Sequence, residues 1–142
     1  RINQDGWQFP QGGVSRNETL IDAMYRELEE ETGLKHDQVR LVAHTKEWLH
    51  YDLPRRLLRN QRRRVQRSNR KQIQFRGQKQ VWFLLELIED DSAVNLEAGQ
   101  ETPEFDSWCW VDMHHAIDNI VEFKKTVYKK ALTELREFLP SN

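Results

Sequence analysis

A single cysteine, Cys109, is all the thiol chemistry that 142 residues contain. One thiol cannot build an internal disulfide framework, which fits a reducing compartment. Within Trp108-Cys109-Trp110-Val111 it reads as an inert strand residue. Long apolar runs are missing too. Hydrophobic residues make up 37% of the chain, and no stretch approaches the ~20 residues that a membrane-crossing helix needs. No secretory signal is recognisable, and a cytoplasmic location without membrane association is the expectation; a monomer is expected as well. The five histidines, His36, His44, His50, His114 and His115, lack metal-ligand spacing, and the pair at 114 and 115 reads as polar surface. Internal repeats are absent, and residues 1–142 read as one domain large enough for a core of its own.

Acidic residues are missing from one long stretch. Residues 53 to 85 hold eleven Lys or Arg and no Asp or Glu, which leaves 11 basic and 23 acidic residues elsewhere. The net charge of −1 therefore hides a partition between a basic segment and an acidic body. Such segregation suits a polyanionic partner, although a basic stretch by itself also reads as a solvated loop. Pro54 and Gly77 bracket it, which makes about 55–76 a basic insertion.

Apolar periodicity predicts a helix over roughly 20 to 32 and a second over Val121 to Leu139, with Val127, Ala131, Leu135 and Phe138 or Leu139 facing inward. Residues 39 to 44 and Trp108 to Val111 read as short strands. Gln80 to Ile88 is apolar on both faces, as expected of a buried central strand, and Ala98 to Asp106 forms an acidic loop. Strands interleaved with two helices predict a mixed sheet covered on both faces.

The densest information lies between Gly12 and Leu34. The stretch fills every specified position of G-x5-E-x7-R-E-U-x-E-E-x-G-U, where U is a bulky aliphatic: Gly12, Glu18, Arg26, Glu27, Leu28, Glu30, Glu31, Gly33 and Leu34. Thr19 can cap the helix, with Asp22 in a capping-box-like position, and Gly33 can end it in the left-handed region. Leu20, Ile21, Met24 and Leu28 form the face that packs. Glu27, Glu30 and Glu31 stand three and four residues apart, so their carboxylates share one side, at the rim of that face. Like charges repel there, and a divalent cation would reverse the sign of the problem. Donors that are all oxygen suit Mg²⁺ or Mn²⁺ better than Zn²⁺. Three glutamates alone would read as a solvated acidic face; the other residues in register argue against that.

This stretch resembles the signature of the Nudix hydrolases, and the resemblance extends along almost the whole chain. Trp7-Gln8-Phe9-Pro10-Gln11-Gly12-Gly13, Tyr51-Asp52-Leu53-Pro54, Gly77-Gln78-Lys79-Gln80-Val81-Trp82-Phe83, Thr102-Pro103-Glu104-Phe105 and Val121-Glu122-Phe123-Lys124 are similar to segments of the bacterial RNA pyrophosphohydrolases within that family. The resemblance implies an α/β/α Nudix sandwich with a mixed central sheet. It implies an enzyme that removes pyrophosphate from the 5′-triphosphate end of RNA, leaving a monophosphate that favours RNA decay. It implies Glu27, Glu30, Glu31 and Glu104 as metal-binding residues for Mg²⁺ or Mn²⁺. Arg26 would hold Glu27 or its neighbours, and Arg1, Tyr51, Val121, Phe123 and Lys124 would grip the first nucleotides of 5′-triphosphorylated RNA. Aromatic stacking on an unpaired base and cationic contacts to phosphates agree with those roles, whereas Phe123 taken alone reads as a core residue at a helix entrance. The proton of the attacking water would pass to Glu27, Glu31 or Glu104, with Glu27 preferred.

Two features depart from the family pattern. The basic segment from Arg59 to Arg76 is longer and more basic than expected. The family also has about 25 residues, early strands of the central sheet among them, before the point at which this chain starts, so an N-terminally incomplete domain is the expectation. Small nucleotide polyphosphates, as in a dinucleoside polyphosphate hydrolase, are the alternative substrates, and an inactive RNA-binding fragment is the alternative outside catalysis.

Overall fold

Thr19 starts the first helix, α1 (Leu20–Thr32), by accepting the Asp22 N–H on its hydroxyl at 3.1 Å. Gly33 stops it with φ of 73°, a conformation that is strained for any residue with a Cβ. A Cβ there would also lie 2.6 Å from the Asn95 carbonyl. The structure, a computed structural model, describes residues 1–2, 6–59, 77–99 and 101–140. Four short strands follow the helix: β1 (Val39–His44), β2 (Leu49–Asp52), β3 (Gly77–Gln80) and β4 (Phe83–Leu87). β1 pairs antiparallel with β4, from Val39 opposite Leu87 to His44 opposite Phe83, with an irregularity between Leu41 and Ala43. β2 pairs antiparallel with β3, placing Leu49 opposite Gln80 and Tyr51 opposite Gln78. Residues 55–59 are helical, and two further helices, α2 (Met113–Asn119) and α3 (Lys125–Leu135), close the chain.

The core gathers on α3, which packs against α2 and β2. Val127, Tyr128, Ala131 and Leu135 recur at helical spacing and are all buried. Tyr128 stacks on Phe9 at 5.6 Å and meets Trp82 edge-on at 4.7 Å, while Phe9 and Trp82 are 5.8 Å apart. Such aromatic pairs contribute beyond their buried area. The Tyr128 hydroxyl accepts the Phe9 N–H at 3.0 Å, which satisfies a polar atom inside this cluster. Burial pushes its phenol up to about 12. Buried Thr45 ties β1 to the segment before β4: its N–H donates to the Trp82 carbonyl at 2.8 Å, and its hydroxyl accepts the Trp82 N–H at 3.0 Å.

Several sequence expectations change. Gln80 to Ile88 is not one strand: Gln80 ends β3, Val81 and Trp82 lie outside both ladders, and Ile88 is exposed. Trp108 to Val111 forms no ladder with any described strand, and Trp108, Trp110 and Val111 are exposed. An apolar segment without a hydrogen-bonding neighbour cannot become a strand. The second helix is shorter than 121–139, because 3-10 turns over Glu122–Lys124 and Arg136–Phe138 flank α3; Phe138 and Leu139 are exposed. On α1, Ile21 is exposed, while Ala23, Glu31 and Thr32 are the buried residues. The ladders among the described residues are antiparallel only. Most of the basic insertion, residues 60–76 with Arg62, Arg63 and Arg64, lies outside the described residues.

Candidate active site

Arg26 organises one end of the site. Its Nε and Nη2 donate to the two oxygens of Glu18 at 2.7 and 3.0 Å, a paired contact that fixes the guanidinium plane. Glu18 is itself pinned, accepting the Ser15 N–H at 2.8 Å. The hydrogen bonds from Arg26, then from the Ser15 backbone, hold its carboxyl down at about 2. From this base Arg26 Nη1 reaches Glu27 at 2.8 Å and Glu30 at 3.2 Å, while Nη2 reaches the Gly13 carbonyl at 2.8 Å. The guanidinium therefore ties the loop before α1 to two of the three helix carboxylates. It is a positioning residue, held in its charged form chiefly by Glu18 and then by Glu27.

Glu31 stands apart from the other two. It is 2% exposed, well inside the rim on which the sequence places it. One oxygen accepts the Gln11 N–H at 2.9 Å. Burial first, then a hydrogen bond and charge from Glu104, push its carboxyl up to about 8, against the pull of that N–H. Glu104 arrives on the loop after β4, which is tethered to α1 by the Asn95 N–H donating to the Thr32 carbonyl at 2.7 Å. Gly12 is packed so closely on Glu27 that a Cβ would sit 1.8 Å from the carboxyl carbon. Only glycine lets the loop lie against that carboxylate.

As it stands, no group of three or more His, Cys, Asp or Glu side chains among the described residues is arranged to hold a metal ion. The donor chemistry of the site nonetheless fits a hard divalent cation. Glu27 and Glu30 each give one oxygen to Arg26 and keep the other free of hydrogen bonds among the described residues. Half-buried Glu104 brings a second carboxyl group against the buried one of Glu31, which is costly for two anions unless a proton or a cation separates them.

The second end of the site is a cluster of aromatic and cationic side chains. Tyr51, buried on β2, lies 5.6 Å from the half-buried ring of Phe123, with the rings tilted at 46°. The Lys124 ammonium sits 5.8 Å from the Tyr51 ring centroid and is itself buried. Burial, then the charge of Arg1, draws its pKa down, and Glu104 opposes this. Arg1 Nη2 pairs with Glu104 at 3.1 Å, and the Ile2 N–H donates to the Glu104 carbonyl at 3.0 Å. Val121 is exposed, its carbonyl accepting the Lys124 N–H at 3.0 Å. The structure thus brings Arg1, Glu31, Tyr51, Glu104, Phe123 and Lys124 into one region, while Glu27 and Glu30 face Arg26.

Sequence reasoning missed the residues between the two ends. Gln11 Oε1 accepts from Lys124 Nζ at 3.2 Å and from Gln80 Nε2 at 3.3 Å. Gln8 Oε1 lies 3.4 Å from the same ammonium, Gln80 Oε1 accepts the Trp82 indole N–H at 3.0 Å, and the Tyr51 hydroxyl donates to Gln78. The glutamines do stand within quoted motifs, at 8 and 11 before the glycine pair and at 78 and 80 before Trp82. Glu18 was visible only as a motif position, without its role as the partner of Arg26.

Residues 1–131 match the family model described as NUDIX domain. The RNA pyrophosphohydrolase of Hydrogenovibrio crunogenus is 50% identical over 139 residues, 98% of this chain and 78% of that protein. The RNA pyrophosphohydrolase of Xylella fastidiosa is 50% identical over 95% of this chain and 66% of its own length. That of Pseudomonas putida is 47% identical over 95% of this chain and 79% of its own. The structure of the E. coli dihydroneopterin triphosphate pyrophosphohydrolase matches with a TM-score of 0.56 at 18% identity, over 92% of this chain and 79% of that one; this likeness speaks for the fold alone.

Proposed function

Because the chain belongs to the Nudix hydrolase family, we propose that it removes pyrophosphate from the 5′-triphosphate end of RNA and leaves a 5′-monophosphate, promoting RNA decay. The reading is carried by one juxtaposition. Two neighbouring carboxyl groups, of buried Glu31 and half-buried Glu104, adjoin a pair of neighbouring rings and a buried ammonium. The first end suits polyphosphate cleavage, and the second suits an unpaired nucleotide, whose base stacks on aromatic rings while cations meet its phosphates. RNA pyrophosphohydrolases 47–50% identical to the chain support the substrate class.

Glu27, Glu30, Glu31 and Glu104 are the residues that would hold a divalent cation, Mg²⁺ or Mn²⁺, which when bound supplies charge neutralisation at the polyphosphate oxygens and a more acidic water. The rest falls to the chain itself. Arg26 sets the direction of Glu27 and Glu30 from its anchor on Glu18. Glu27 takes the proton of the attacking water, because Arg26 fixes one of its oxygens and the other is free of hydrogen bonds among the described residues. Arg1 and Lys124 bear on the substrate's phosphates, and Tyr51, Phe123 and Val121 frame the first bases. Residues 1–142 act as one domain, as a monomer in the cytoplasm; among the described residues no helix is long and apolar enough to cross a membrane.

The deciding experiment compares a 5′-triphosphorylated oligoribonucleotide with diadenosine polyphosphates at one metal concentration. Preferential release of pyrophosphate from RNA is the expected result. Faster turnover of the dinucleotides would replace the reading with a dinucleoside polyphosphate hydrolase. Binding of RNA without hydrolysis in saturating Mg²⁺ or Mn²⁺ would make the chain a non-catalytic RNA-binding fragment.

A further inference from the structure

The geometry points to Gln11 as a positioning residue that holds the buried Lys124 ammonium beside Tyr51, at the proposed nucleotide site, without neutralising it. This inference rests on the function proposed above and goes beyond it. Gln11 faces both ends of the site through different groups: its backbone N–H holds Glu31 at 2.9 Å, and its side-chain oxygen holds Lys124 Nζ at 3.2 Å. That oxygen is in turn oriented by the Gln80 amide at 3.3 Å, and Gln80 is locked by the Trp82 indole at 3.0 Å. The direction of the Gln11 amide is thus set by a chain reaching into the aromatic core.

The partners around Lys124 explain why a neutral amide is useful there. The hydrogen-bond acceptors at its ammonium are Gln11 and Gln8, both uncharged, and no ion pair involves this lysine among the described residues. The nearby carboxylate, Glu104, is engaged by Arg1 at 3.1 Å. A buried cation needs hydrogen bonds to stay charged. A carboxylate partner would supply them and also cancel the field that a phosphate must feel. Amide oxygens supply the hydrogen bonds and leave the charge uncompensated, so it is available to the substrate.

The test is a double-mutant cycle on the full chain, with KM and kcat measured on a 5′-triphosphorylated hexaribonucleotide and Kd by fluorescence anisotropy. Gln11→Leu should raise KM and Kd about 10-fold, the loss typical of one hydrogen bond to a charged group. It should leave kcat within about twofold. Lys124→Met should raise KM similarly, and adding Gln11→Leu to it should cost nothing more, because the two residues act through one interaction. Gln11→Glu keeps the shape and the acceptor, so a merely structural role leaves it near wild type; the proposal requires a KM rise larger than that of the leucine variant. It also serves as the test if Gln11→Leu fails to show a cooperative thermal transition. Multiplying effects in the double variant, a fall in kcat at constant KM, or a wild-type-like Gln11→Glu would overturn the assignment. If the wild type proves to hydrolyse diadenosine tetraphosphate and not RNA, the functional reading fails by itself. The same cycle on that substrate's KM then decides the role of Gln11.

Discussion

Glu31 is the residue whose environment differs most from what its side chain prefers in water. Burial first, and then Glu104, disfavour its charged form and push its carboxyl up to about 8. A group whose folded pKa is raised stabilises the fold fully below its unfolded pKa, and the contribution disappears as pH rises through the folded value. In chelator, the thermal midpoint should therefore fall as pH climbs from about 4.5 to about 8. Glu31→Gln should flatten that slope, since a neutral amide has no proton to lose. An unchanged slope in the variant would remove Glu31 as its source. In saturating Mg²⁺, Glu31→Gln and Glu27→Gln should each lower kcat by orders of magnitude with the fold retained, and near wild-type rates in both would end the carboxylate mechanism. Gly12→Ala makes a separate test. The added methyl must displace the Glu27 carboxyl group, and misplacement on the order of 1 Å costs about 100-fold in rate. The expected outcome is that loss of kcat with an unaltered far-ultraviolet spectrum.

Among elements, α1 was legible because everything that defines it is local. Thr19 caps it, Gly33 ends it, and the bounds read from periodicity agree with Leu20–Thr32. Thr19→Ala should cost about 1 kcal/mol, seen as a drop in thermal midpoint of roughly 2–4 °C, with little change in KM because the Thr19 hydroxyl bonds the Asp22 N–H and none of the substrate-gripping residues. β1 was legible for the same local reasons. β2 and β3 were not, since Leu49-His50-Tyr51-Asp52 and Gly77-Gln78-Lys79-Gln80 are short and mostly polar and become strands only by pairing with each other. The opposite error occurred at Trp108 to Val111, where apolar residues suggested a strand that finds no neighbour among the described residues. The site divides along the same line. The spacing of Glu27, Glu30 and Glu31 advertised a carboxylate cluster, and the resemblance added Glu104 and the substrate-gripping residues. Gln8, Gln11 and Gln80 carry no signal of their own, because an amide's role depends on partners far along the chain.

At the scale of the whole molecule, the charge partition predicts how affinity responds to salt. Replacing Arg62, Arg63 and Arg64 with Gln should weaken binding of a long RNA and reduce its log–log salt slope by about 2, as three fewer phosphate contacts release fewer counterions. Hydrolysis of a dinucleoside polyphosphate should change far less, because that ligand is too short to leave the site. Equal losses on both substrates, or none, would exclude an RNA-tracking role for the segment. The long reach of the contacts has a consequence of another kind. Phe9 meets Tyr128 across 119 positions of sequence, and Lys124 meets Gln8 across 116. Closing loops of that size costs entropy before any contact returns it, so such contacts form late. The hydrogen bonds of α1 need no such closure. On dilution from denaturant, helical ellipticity should recover ahead of hydrolytic activity. A chain still emerging from the ribosome would carry its whole acidic box, yet stay inert until the segment bearing Lys124 and Tyr128 had been made.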